Sequence, residues 1–111
     1  MTIDNLTYGD LKQIAAMCNA NPTDNSAWEI GKVYLIRTVT HIQTGRLIAV
    51  TPSELVLEDA AWIADTGRFS GALASADFSE VEPFPDGARV VVGRGALIDA
   101  VQIAKAPRVQ K

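Results

Sequence analysis

Between Lys32 and Ile63 the chain carries three apolar, β-branched-rich segments with almost nothing between them. KVYLIRTVTHIQ, RLIAV and ELVLEDAAWI are interrupted only by Gly45 and by Thr51-Pro52-Ser53. Val, Ile, Thr, Tyr and Trp at this density favour extended backbone. Connections this short cannot hold the crossover that parallel strands need, so three consecutive antiparallel strands are predicted over about residues 32–63.

A second β-rich stretch, VVVGRGALIDAV at residues 90–101, sets an arginine between two glycines with an apolar strand on either side. A G-x-G-x-x-G turn would let backbone N–H groups approach a pyrophosphate at the start of a helix. Here Ile98 stands where the third glycine would be, and residues 96–103 alternate in a β-like way. GRG is therefore read as a tight turn between two short strands over about 88–104, with Gly93 and Gly95 free to adopt positive φ and Arg94 at the tip.

Ahead of the strands, Thr7 and Asp10 form a weak capping box, and Leu11, Ile14, Ala15 and Cys18 fall at i, i+3, i+4 and i+7. This spacing predicts an amphipathic helix over about residues 6–20, stopped by Asn21-Pro22, with Cys18 on its apolar face. Residues 64–87 hold Gly, Ser, Pro and Asp at frequent intervals and read as a long acidic connection, with one short helix around Gly71–Ala74. Within it ADFSEVEPFPDG carries four acids and no base, whereas the tail at 105–111 carries three bases and no acid. Both are expected to be solvated.

The chain of 111 residues is read as one domain. Its hydrophobic fraction of 48% and charged fraction of 21% suit an ordinary globular protein, and no apolar run reaches the length of a membrane span. The first residues lack the apolar core of a signal peptide, so a cytoplasmic product is expected, and the sequon Asn5-Leu6-Thr7 is read as chance. A net charge of −3 argues against coating nucleic acid through a broad basic face.

One histidine and one cysteine give no basis for a Ser-His-Asp, Cys-His or metal-ligand constellation. No enzyme, metal, cofactor or small-molecule substrate is expected. His41, in an alternating strand, is read as a strand residue before a stacking or titrating group. Glu58 and Asp59, as strand neighbours, should point to opposite faces and serve as surface charge. Trp28 and Trp62 are expected to pack in the core or at a subunit contact. Arg94 suits a phosphate or base and suits a neighbouring carboxylate equally well.

Taken together, Gly45-Arg46-Leu47 with Leu55-Val56-Leu57-Glu58-Asp59-Ala60, and then Val91-Val92-Gly93-Arg94-Gly95-Ala96-Leu97-Ile98, resemble the two motifs of the Sm-like (LSm/Hfq) family of ring-forming RNA-binding proteins. The resemblance covers nearly the whole chain and implies an amino-terminal α-helix followed by a five-stranded, strongly bent antiparallel β-barrel. It sets GRG at the central pore and the acidic connection at the family's variable loop. The loop that in the family grips a base reads Thr51-Pro52-Ser53-Glu54 here, without a stacking ring and with a carboxylate where an amide is usual.

The resemblance implies a homo-oligomeric ring, about five to seven subunits, built by pairing edge strands between copies, Arg89–Val92 of one with Leu97–Ile103 of the next. Val90, Val91, Val92, Ile98 and Val101 are the interface residues expected. Single-stranded RNA would be bound at or near the pore by Arg94, Gly93, Gly95, Thr51, Pro52, Ser53, Glu54 and His41. The alternative is a structural or protein-interaction ring with little RNA affinity, and a nucleotide-binding barrel is more remote. The drifted motifs suggest a phage-encoded member.

Overall fold

A computed structural model describes residues 27–111. The expected helix at 6–20, with Cys18, lies outside the described residues. The described chain is mainly β, a single antiparallel sheet of six strands with one short helix. The strands are β1 (Val33–Thr38), β2 (Ile42–Val50), β3 (Glu54–Asp65), β4 (Glu80–Pro83), β5 (Val90–Gly93) and β6 (Leu97–Gln102), and the helix is α1 (Phe69–Ser75). The order is β4-β3-β2-β1-β6, and β5 also pairs with β3. Long β3 thus serves two partners along one side, β5 against Glu54–Leu57 and β4 against Ala61–Asp65.

β1 is buried on both faces, since Tyr34, Leu35 and Ile36 are all in the core. Tyr34 and Ile36 join Leu47, Leu55, Leu57, Ala60 and Val92 on one side. Leu35 joins Ala61, Ile63, Phe78, Val81 and Ile103 on the other, where α1 closes the layer with Ala72 and the capping Ala76. The helix forms where Phe69, Ala72, Leu73 and Ala76 recur at helical spacing. It ends at Ala76, which takes the left-handed conformation (φ 56°) and returns its N–H to the Ala72 carbonyl.

Two kinks let the sheet bend over the first cluster. In mid-β2, a Cβ on Gly45 would lie 2.9 Å from the Leu57 Cβ, so only glycine allows β3 to come so close. Opposite it, Asp59 takes φ 53° at a register shift between β2 and β3, a β-bulge. Gly45 is therefore interior to a nine-residue strand rather than a break between strands.

Several sequence-based expectations change. The turn between the first two strands lies at Val39–His41, where the Thr38 N–H donates to the His41 carbonyl at 2.8 Å and the Thr38 hydroxyl accepts the His41 N–H at 3.0 Å. Neither Val39 nor Thr40 is a turn-forming residue type, so pattern alone ran the strand through them. The acidic connection at 64–87 contains α1 close to where a short helix was expected, and also β4, which was not expected. Between β4 and β5 the chain leaves β3 for a turn at Pro85–Ala88, with Gly87 at φ 80° in the position that type II turns reserve for glycine.

Candidate functional site

GRG is not a hairpin with positive-φ glycines. Arg94–Ala96 form one 3-10 turn between β5 and β6, and Gly93 has φ −69°. Gly93 and Gly95 are absent from the residues with positive φ, and a Cβ at either would meet nothing within 4 Å. Tightening the backbone into a 3-10 turn makes the reversal without left-handed residues.

Arg94 does not project freely from this turn. Its Nη1 donates to the Thr51 carbonyl at 2.7 Å, and its backbone N–H donates to the Ser53 carbonyl at 2.9 Å. The Thr51 hydroxyl in turn accepts the N–H groups of Ser53 (3.3 Å) and Glu54 (2.9 Å). The turn Thr51–Glu54 and the GRG turn are thus brought together, and one side of the guanidinium is spent on holding that turn. Pro52, Ser53 and Glu54 are exposed around it. His41 lies elsewhere, at the β1–β2 turn, with Nδ1 2.7 Å from the Thr40 hydroxyl and its ring edge-on to Trp62 at 6.3 Å. It is a turn residue rather than a strand residue.

The valines of β5 divide by face. Val92 is 5% exposed and belongs to the core, with Val90 packed against the same cluster, so neither is available to a partner as expected. Val91 points out and is 56% exposed. On β6, Ile98 is 62% and Val101 40% exposed, and no residue of that strand is fully buried. Among the described residues no strand pairs with the outer edge of β5 or of β6. The third edge, that of β4, is covered: Val81 and Lys111 exchange backbone hydrogen bonds at 3.2 and 3.0 Å. The basic tail is therefore folded onto the sheet rather than solvated.

Most described cations are occupied within the chain. Arg37 grips Asp99 across β1 and β6, with Nε 2.7 Å from Oδ1, and that hydrogen bond holds the Asp99 carboxyl below its ordinary value. Arg46 Nη2 reaches both Glu58 (3.1 Å) and Asp59 (3.3 Å). The two carboxylates share one side because the bulge at Asp59 breaks the alternation expected of them. Arg108 and Lys111 pair with Asp86 and Asp77 at 2.7 and 2.6 Å. Lys32, Arg68 and Lys105 make no ion pair among the described residues.

Sequence reasoning missed a shallow cleft of about 400 Å³ lined by Val39, His41, Trp62 and Ile98. It is built by the unforeseen turn at 39–41, and the exposed Trp62 beside it was the only signal for it in the sequence. Trp28 is half-buried and meets Tyr34 edge-on at 5.1 Å. Among the described residues no group of three or more His, Cys, Asp or Glu is placed to hold a metal ion. No helix among them is long and apolar enough to cross a membrane.

Compared with known proteins, the chain matches no family model, no curated protein and no solved structure.

Proposed function

We propose that the chain is a subunit of an Sm-like homo-oligomeric ring, non-catalytic, in which the outer edge of β5 in one copy pairs with the outer edge of β6 in the next. The observation that carries this is the distribution of open edges. β4 is sealed by the tail, and among the described residues the outer edges of β5 and β6 are left unpaired with Val91, Ile98 and Val101 exposed along them. Unpaired edges with apolar side chains invite strand pairing with another chain. Two different edges on one subunit make a head-to-tail contact, which closes into a ring when the rotation allows. Counting β4 and β5 as one strand interrupted by the turn at Pro85–Ala88 gives five strands, the number the Sm-like resemblance implies.

The role that fits this ring best is structural, as a platform for assembly and protein contact. Arg94 is engaged with Thr51, the base-gripping loop lacks an aromatic ring, and Glu54 adds a carboxylate beside it. Single-stranded RNA at the ring axis is the alternative, and Gly93 and Gly95 favour it, because their open surroundings leave the backbone accessible from outside. Light scattering together with an oligonucleotide shift assay separates the possibilities. A ring that leaves short U-rich and A-rich oligonucleotides unshifted at about 50 μM protein and low salt supports the structural role. A salt-dependent shift that drops about tenfold in Arg94→Ala would support RNA instead.

A further inference from the structure

The tail at 105–111 holds β4 in the way a separate peptide would. The Val81 N–H donates to the Lys111 carbonyl and the Lys111 N–H to the Val81 carbonyl, the mutual pair of an antiparallel ladder. Arg108 anchors the segment at the other end. Its Nη1 donates to the Ala60 carbonyl at 2.7 Å, and its Nη2 to the Phe84 carbonyl at 2.8 Å and to Asp86 Oδ1 at 2.7 Å. Lys111 Nζ reaches Asp77 Oδ1 at 2.6 Å, and the Gln110 amide approaches Glu82. Between the tail and the sheet lies a hollow of about 230 Å³, walled by Phe78 and Val81 on one side and by the tail itself on the other. Val109 is left 73% exposed, while Ala106 and Pro107 are half-buried.

We propose that the outer edge of β4, with Asp77, Glu82 and Asp86 beside it, is a docking site for an extended basic segment of another protein, one with an arginine and a lysine three residues apart. The chain's own tail is the resident occupant. Backbone pairing to a sheet edge gives such a site its affinity, and charged side chains at fixed intervals give it selectivity. The acids come from a stretch without a base, 76–87, so the edge without its tail would present Asp77, Glu82 and Asp86 to a basic strand. Exposed ion pairs and rim hydrogen bonds are individually weak, and an incoming segment would remake the same ones, so the resident tail keeps only the advantage of being tethered. This inference does not depend on the ring, since β4 is separate from the β5 and β6 edges.

The probe is a fluorescent peptide of sequence KAPRVQK, residues 105–111, titrated by anisotropy into the full chain, into Arg108→Ala and into Lys111→Pro. The arginine variant loses three anchoring bonds, and the proline variant loses the N–H donated to Val81 and the ammonium contact with Asp77. Each should bind the peptide about tenfold or more tightly than the unmodified chain, because the competent, vacated edge is more populated. Asp77→Asn with Asp86→Asn in the Arg108→Ala background should reverse the gain, and a peptide with alanine in place of both Arg108 and Lys111 should not bind. No binding to either variant at about 1 mM peptide, with thermal melts showing both folded, overturns the proposal. Equal binding to all three proteins overturns it as well, since the contact would lie elsewhere. If both variants fail to fold, the tail is an integral strand of the sheet and the proposal falls. A tail that crosses between copies, seen as association of Val91→Lys subunits that Arg108→Ala abolishes, would also reject a foreign partner.

Discussion

Thr44 is the residue whose surroundings suit its chemistry least. It is fully buried beside Leu35 and Ala61, and among the described residues its hydroxyl has no hydrogen-bond partner. An unsatisfied buried hydroxyl costs more than the apolar group of the same shape. Thr44→Val should raise stability by about 1 kcal/mol in urea unfolding, and a loss instead would mean that the hydroxyl is bonded. Gly45 beside it has the opposite constraint: Gly45→Ala presses a methyl against Leu57 and should cost about 1–3 kcal/mol. Neither role was legible in the sequence. A threonine among β-branched neighbours reads only as strand former, and a glycine between two apolar runs reads as punctuation until the opposing strand is in place. Asp59 was hidden for the same reason, because a bulge is set by pairing to a partner strand and not by local pattern.

Charge at the residue scale makes a further prediction. The carboxyls of Asp99 and Asp77 are held below their ordinary value of 3.8 by hydrogen bonds from Arg37 and from Lys111. A folded-state value below the unfolded one stabilises the fold fully above the unfolded value, and that contribution is lost as pH falls through the folded value. Melting temperature should therefore drop on acidification below about pH 4, and Asp99→Asn should flatten part of that drop while lowering the plateau at neutral pH. An identical acid profile for the variant would mean that the Arg37–Asp99 pair contributes nothing. Both partners are substantially exposed, so the effect should be small and should shrink with added salt.

Among the elements, those with a strong local period were legible and those made by distant partners were not. β1, β2 and β3 follow from their dense β-branched runs, and α1 follows from Phe69, Ala72, Leu73 and Ala76. β4 does not, because Glu80-Val81-Glu82-Pro83 offers a single apolar residue and a proline, and only its pairing with Ile63 and Asp65 makes it a strand. The fold-back of the tail was half visible, in an acidic stretch and a basic one noted separately, but nothing local says that they meet. β5 carries the element-scale prediction. Val91 is exposed and its neighbours Val90 and Val92 are not, so Val91→Lys should leave the subunit folded, with an unchanged circular dichroism spectrum, while weakening self-association. Val92→Lys should instead unfold the subunit, because it places a charge in the core at a cost of several kcal/mol. The reverse pattern would mean that the faces of β5 are misassigned.

At the scale of the whole molecule, among the described residues the sheet has one edge closed by its own tail and two edges left open. This asymmetry is what the proposed ring rests on, since among the described residues β5 and β6 have open outer edges and lie on opposite ends of the strand order. The most direct test is the native mass of the purified chain at micromolar concentration, taken beside that of Val91→Lys. The account predicts a closed assembly of about five to seven copies for the unmodified chain and a folded single subunit for the variant. An unmodified chain that runs as an 11.9 kDa monomer would contradict it, as would a variant that keeps the full assembled mass.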